Sequence, residues 1–204
     1  MLCKICHTRR ARRYCPGVQG DICSLCCGTE REVTVSCPLE CEFLREARIH
    51  EKPTALPTEY PNKDVRITDD FLSTHEGLLM ILSVSLAGVC ADKPEMIDFD
   101  VREGLEALIQ AYRALGSGLI YETTPVNPLA AFLAEKVRQT LTDFNARLEE
   151  AKGTQILDGV ALGILVFLQR MEMHHNNGRK KGKAFISFLS ESFPRPKPEP
   201  TLQL

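Results

Sequence analysis

Eight of the nine cysteines fall within the first forty-one residues, MLCKICHTRRARRYCPGVQGDICSLCCGTEREVTVSCPLEC. Cys3/Cys6 and Cys23/Cys26 are two C-x2-C pairs separated by sixteen residues. That spacing lets two tight turns bring four sulfurs to one zinc ion at about 2.3 Å. Four thiolates close the coordination sphere, so such a metal is structural. Cys15, Cys27, Cys37 and Cys41 remain, the last two as C-x3-C, and a second four-thiolate site uses every cysteine of the stretch. Cys15 lies between the two pairs of the first site, so the sites interleave as a cross-brace, and two zinc ions per chain are expected. Disulfides are the competing use of these cysteines, but they need an oxidising compartment, and MLCKICHTRR contains no apolar export segment. Zinc and a cytoplasmic location follow as expectations. Large apolar side chains are sparse over residues 1–50. A structural zinc contributes about 10–16 kcal/mol of coupled folding free energy, so without metal this module is expected to be unfolded.

Three pieces, CKIC at Cys3–Cys6, YCP at Tyr14–Pro16 and CSLCC at Cys23–Cys27, resemble the HIT-type zinc fingers. Those fingers bind two zincs in an interleaved, treble-clef-like arrangement. The likeness spans residues 3–41, about a fifth of the chain. Val18 stands where the family has a further cysteine, and Cys37 where it has a late histidine. The family's C-S-L-x-C spacing makes Cys27 the partner of Cys23, whereas the C-x2-C spacing makes it Cys26. The adjacent pair is expected to divide between the two sites. What the resemblance implies is an interaction module rather than an enzyme.

Inside the module, Arg9, Arg10, Arg12 and Arg13 form a basic knot. They suit either phosphate recognition or compensation of thiolate charge, and compensation is favoured because eight thiolates outweigh two divalent cations. His7, directly after Cys6, is a minor candidate ligand. Residues 42–50, EFLREARIH, read as a short helix packing Phe43, Leu44 and Ala47 on the zinc sites, a usual treble-clef part. These features define a zinc-binding module over residues 1–50. Pro53, Pro57 and Pro61 then mark a proline-rich linker over 51–68.

From Asp69 the apolar residues recur with helical periodicity, which predicts a mostly α chain: an antiparallel bundle of four to five helices over 69–193. The first helix runs from Asp69/Asp70 to about Cys90, apolar nearly all round in its second half and therefore expected at the bundle centre. The second opens on an Asp100/Glu103 capping box and frays at Gly116–Gly118. The third starts at Asn127-Pro128 and closes at Lys152-Gly153. The fourth spans Thr154 to about Asn177, with Gly178 as a left-handed cap. The fifth is Lys183–Phe193, before a proline-rich tail over 194–204 expected to be disordered. Cys90 reads as a buried thiol. With a net charge of −2 and 44% hydrophobic residues, the chain lacks the basic excess of a dedicated nucleic-acid binder. Its longest uncharged run, Gly77–Ala91, is too short to span a bilayer.

Three bundle features resemble chemistry. Glu172 and His175 form one E-x-x-H, but a di-iron site needs a second copy, so a polar helix end with protonated histidines is favoured. GRKKGKAF over 178–185 has the wrong glycine spacing and Ala184 in place of Ser/Thr for a phosphate loop. It leaves a basic turn, Arg179, Lys180, Lys181 and Lys183, read first as a solvated loop and second as an anion-attracting surface. Tyr121-Glu122 is a candidate partner contact. With no catalytic triad or dyad in view, the sequence reads as a zinc-binding adaptor, not an enzyme, with a protein partner and a homodimer among its assemblies. The alternative is a nucleic-acid-binding regulator using the loops at 9–13 and 179–183, and a metal-dependent enzyme is the last choice.

Overall fold

The computed structural model describes residues 1–51, 59–118 and 124–194. It is mostly α: eight helices and one two-stranded sheet among the described residues. The N-terminal module contains β1 (Arg13–Cys15), β2 (Gly20–Ile22), α1 (Ser24–Glu30) and α2 (Glu42–His50). The strands are antiparallel, with Arg13 opposite Ile22 and Cys15 opposite Gly20. The bundle comprises α3 (Asp69–Thr74), α4 (Glu76–Asp92), α5 (Asp98–Gly116), α6 (Pro128–Lys152), α7 (Asp158–His175) and α8 (Ala184–Ser192). No helix among the described residues is long and apolar enough to cross a membrane.

The single first helix of the sequence reading is two helices. His75, at φ −112° and ψ 22°, ends α3 and starts α4. Thr68, not an aspartate, caps α3, its hydroxyl accepting from Phe71 N at 3.2 Å. Nor is α4 the central helix: Met80, Ile81 and Val84 are exposed. The deepest helix is α7, which exposes no residue between Val160 and Met173. Uniform apolarity told only that α4 has no strongly polar face; packing by α6 and α8 decided which side is covered.

α5 begins two residues earlier than expected. Asp100 is its third residue, accepting from Ile97 N at 2.8 Å, so the cap pairs Ile97 with Asp100 rather than Asp100 with Glu103. α6 begins and ends as expected: Asn127 Oδ1 accepts from Leu129 N at 3.0 Å, and Gly153 closes the helix at φ +66°. α7 starts at Asp158 and stops at His175, short of the expected 154–177, and Gly178 lies in the following turn instead of capping it.

The core gathers Leu82, Leu86, Leu105, Leu108, Leu133, Ile164 and Phe185, all fully buried. Within the predicted linker, residues 59–68 lie along the bundle. Arg113 makes a two-pronged bond to Asp64 at 2.7 and 2.8 Å, and Arg170 donates to Asn62 O at 2.7 Å. Residues 52–58, Tyr121-Glu122 and the tail from 195 lie outside the described residues.

Candidate metal centre

The first site is assembled from a tight turn and a helix start. Over residues 3–7 the chain turns back on itself: His7 N donates to Cys3 O at 2.9 Å, and Cys3 N donates to Arg9 O at 2.8 Å. Lys4 N donates to Asp21 O at 2.9 Å, tying this turn to β2. The second C-x2-C pair is not a free turn. Cys23 caps α1, its Sγ accepting from Cys26 N at 3.4 Å. Residues three apart share a helix face, so Cys23 and Cys26 look the same way. The four sulfurs of Cys3, Cys6, Cys23 and Cys26 lie within 4.8 Å of one another. A tetrahedral zinc with 2.3 Å bonds needs sulfur–sulfur separations of about 3.8 Å, so this set fits the ion with a small inward contraction.

The thiol electrostatics suit a cation held among the four sulfurs. Hydrogen bonds from Thr8, hydroxyl first and then backbone, hold Cys6 down to about 5. At Cys3, burial pushes upward but is outweighed by the backbone N–H groups of Cys6, Cys23 and Ile5. Cys26 is pushed up to about 12, by burial first and then by Cys23, Cys6 and Cys3. Four sulfurs at this distance cannot all ionise unless a positive charge sits among them, and a divalent ion supplies it.

Cys27 is one residue beyond Cys26 and therefore about 100° around the helix. It stands outside the first cluster, which answers the division of the adjacent pair: Cys26 joins Cys3, Cys6 and Cys23. His7 is not part of that cluster, the only such gathering of three or more potential ligands among the described residues. Cys15 at the end of β1, Cys27 on α1, Cys37, and Cys41 at the cap of α2 line one small cavity of about 20 Å³, together with Cys26 of the first cluster, Phe43 and Leu44. Gly17 allows this approach. A Cβ there would meet Ser36 O at 2.5 Å, so a side chain would push the turn after Cys15 away from the segment entering Cys37.

The basic knot divides. Arg9 lies on Cys23, whose sulfur raises the guanidinium further. Arg13 and Arg31 each reach Cys27 Sγ at 3.7 Å, and Arg13 also stacks on Phe43 at 4.0 Å. Charge compensation thus has a geometry for the exposed Arg9 and the half-buried Arg13, while Arg10 and Arg12 are exposed and make no such contact to a sulfur.

The basic turn at 179–183 is a solvated loop only in part: Lys180 and Lys181 are exposed, but the turn is tied to the module. Lys183 is only 3% exposed and donates through Nζ to Pro94 O. Arg179 bonds Arg31 O at 3.0 Å and Glu51 at 2.6 Å, and Lys181 reaches Thr34 O at 2.7 Å. Between them sits Glu32, wholly buried, accepting from Arg48 at 2.8 Å, Asn177 at 2.9 Å and Lys183 N at 3.0 Å. Its carbonyl accepts from Lys181 N at 2.8 Å. This joint between module and bundle escaped the sequence reading, because its halves lie about 150 residues apart and carry no local signature.

Glu172 is also different from a polar helix end. It is fully buried, held by Arg102 at 2.7 and 3.2 Å and by Asn176 at 2.6 Å. His175 stacks on Phe188 at 3.8 Å, and burial, then His174, lowers its pKa, which opposes the protonated form expected for it. Both groups of the E-x-x-H are therefore engaged within the bundle. Cys90 is buried as expected, pushed up to about 12 by burial and then by Asp98 and Asp100.

Comparison with family models, curated proteins and solved structures finds no match for this chain.

Proposed function

We propose that the chain is a zinc-stapled, non-catalytic adaptor carrying two structural zinc ions, one held by Cys3, Cys6, Cys23 and Cys26 and one by Cys15, Cys27, Cys37 and Cys41. The observation that carries the reading is the four-sulfur cluster, whose ligands all come from the protein and leave no open position for substrate. The second site is supported by the four remaining thiols, which all line one small cavity beside Cys26 that is large enough for a single guest. The interleaving of the two sets supports the HIT-type likeness. Protein is favoured over nucleic acid as the partner because Arg179, Lys181 and Lys183 take internal bonds and Arg9 lies on Cys23, so that of the five exposed members of the two basic loops, Arg9, Arg10, Arg12, Lys180 and Lys181, two are already engaged.

Native mass spectrometry of the zinc-loaded chain is expected to give two zinc ions. Cys26→Ser should remove one and abolish cobalt thiolate absorption from the first site. Cys27→Ser should remove the other and leave the first site's spectrum intact. A single zinc in the parent chain would remove the second site from the reading. Nucleic acid retained at low salt, and lost with a steep salt slope that Arg10→Glu flattens, would replace the protein partner.

A further inference from the structure

α4, α7 and α8 line an open apolar cavity of about 200 Å³ that the zinc reading does not use. Its walls are Phe167, Phe185, Phe188 and Phe193 with the thioethers of Met80 and Met171. Aromatic rings and polarizable sulfur form a favourable surround for a flat ring. The volume exceeds the roughly 150 Å³ of an apolar cavity known to admit benzene.

Two polar groups interrupt this lining. Ser83 is 4% exposed and lines the cavity, and its hydroxyl makes no hydrogen bond to another described residue. Two residues on, Ser85 instead meets Thr140 at 2.8 Å. The Ser83 hydroxyl faces the cavity and is free to hydrogen-bond to whatever occupies it. The second group is Glu76, exposed in the first turn of α4, the single ionisable side chain of the lining. Seven residues separate the two along one helix, an axial rise of about 10 Å. The cavity therefore presents a negative end, an aromatic middle and a neutral hydrogen-bonding end.

We propose that this cavity is a binding site for a small hydroxyaryl-alkylamine, with the ammonium at Glu76, the ring among the phenylalanines and the hydroxyl on Ser83. A carboxylate or phosphate ligand is disfavoured because no basic side chain among the described residues lines the cavity. The inference is independent of the adaptor reading, and its failure would leave the zinc sites untouched.

The test uses the full zinc-loaded chain with isotope-labelled methionine methyl groups, so that Met80 and Met171 report from the cavity wall. Tyramine is the probe, compared with phenethylamine, which lacks the hydroxyl, and 3-(4-hydroxyphenyl)propionate, which reverses the charge. Tyramine is expected to shift both methyls saturably. Each comparison compound should bind about tenfold more weakly, the scale of one hydrogen bond or charge contact in a partly dry site. Ser83→Ala should abolish the preference for tyramine over phenethylamine, and Glu76→Gln the preference for tyramine over the acid. Glu76 is exposed, so its variant remains informative if Ser83→Ala folds poorly. No saturable shift with tyramine, equal binding of the acid, or preferences unchanged in the variants would each overturn the proposal.

Discussion

Asp98 shows how much one carboxylate can govern. It begins α5, is 1% exposed, and accepts from Phe185 N and Ile186 N, each at 3.1 Å. It therefore caps α8 from another helix. Burial, the largest influence, raises it to about 7 despite those two N–H groups, with Glu172 adding to the rise. A carboxyl raised from about 3.8 binds more protons folded than unfolded between pH 4 and 7, so its contribution is complete below that window and is lost as pH rises through it. The span is about 4 kcal/mol at most. Urea midpoints at saturating zinc should fall from pH 5 to pH 8 in the parent chain, and Asp98→Asn should flatten that difference while losing about 1 kcal/mol for one N–H acceptor. Equal slopes in the two proteins would remove Asp98 as their cause. At the same scale the sequence was readable where chemistry is local. C-x2-C spacing marked Cys3, Cys6, Cys23 and Cys26, but the choice of Cys26 over Cys27 needed the knowledge that both sit on a helix. Asp98 and Glu32 were not readable, since an acid in a sequence does not announce which distant N–H it will meet.

Among elements, the segment 31–35 matters most, because it connects Cys27 to Cys37 and is gripped by the turn before α8. Glu32→Ala leaves the partly buried Arg48 and the N–H of Lys183 without their acceptor, and should cost about 3 kcal/mol. Hydrogen exchange should quicken at amides 181–186 while the α5–α7 core remains protected; unchanged exchange there would mean that the joint does not hold the turn. Gly17→Val should act on the same region from the other side, and, if the proposed second site holds zinc, should lower affinity at Cys15, Cys27, Cys37 and Cys41 without affecting the first cluster. Helix existence was legible throughout 69–193, because long periodic runs such as Leu129–Leu148 leave little choice. The break at His75 and the exposed face of α4 were not, because apolarity on all sides carries no phase.

Across the whole molecule, two stabilising principles meet at one seam. The module has few large buried side chains, chiefly Ile22 and Leu44, so it depends on thiolates, whereas the bundle holds a continuous apolar core. Chelation should therefore unfold α1 and α2, removing about a seventh of the helical signal, and leave α4 to α7 folded. Limited proteolysis with and without chelator checks this, with a protected fragment beginning near residue 59 expected. Complete digestion would show that the bundle cannot stand without its metal-bound neighbour. The proline-rich stretch marked a change of composition, but not that Asn62 and Asp64 would be fastened to Arg113.

The joint at Glu32 closes contacts between residues about 150 positions apart. During synthesis the N-terminal segment emerges first and its dock last. For most of translation the zinc module has no bundle turn to lean on. If the four-sulfur cluster takes up its metal early, that capture protects the module while it waits, and docking of the turn before α8 becomes a late check that both sides of the joint have been made correctly.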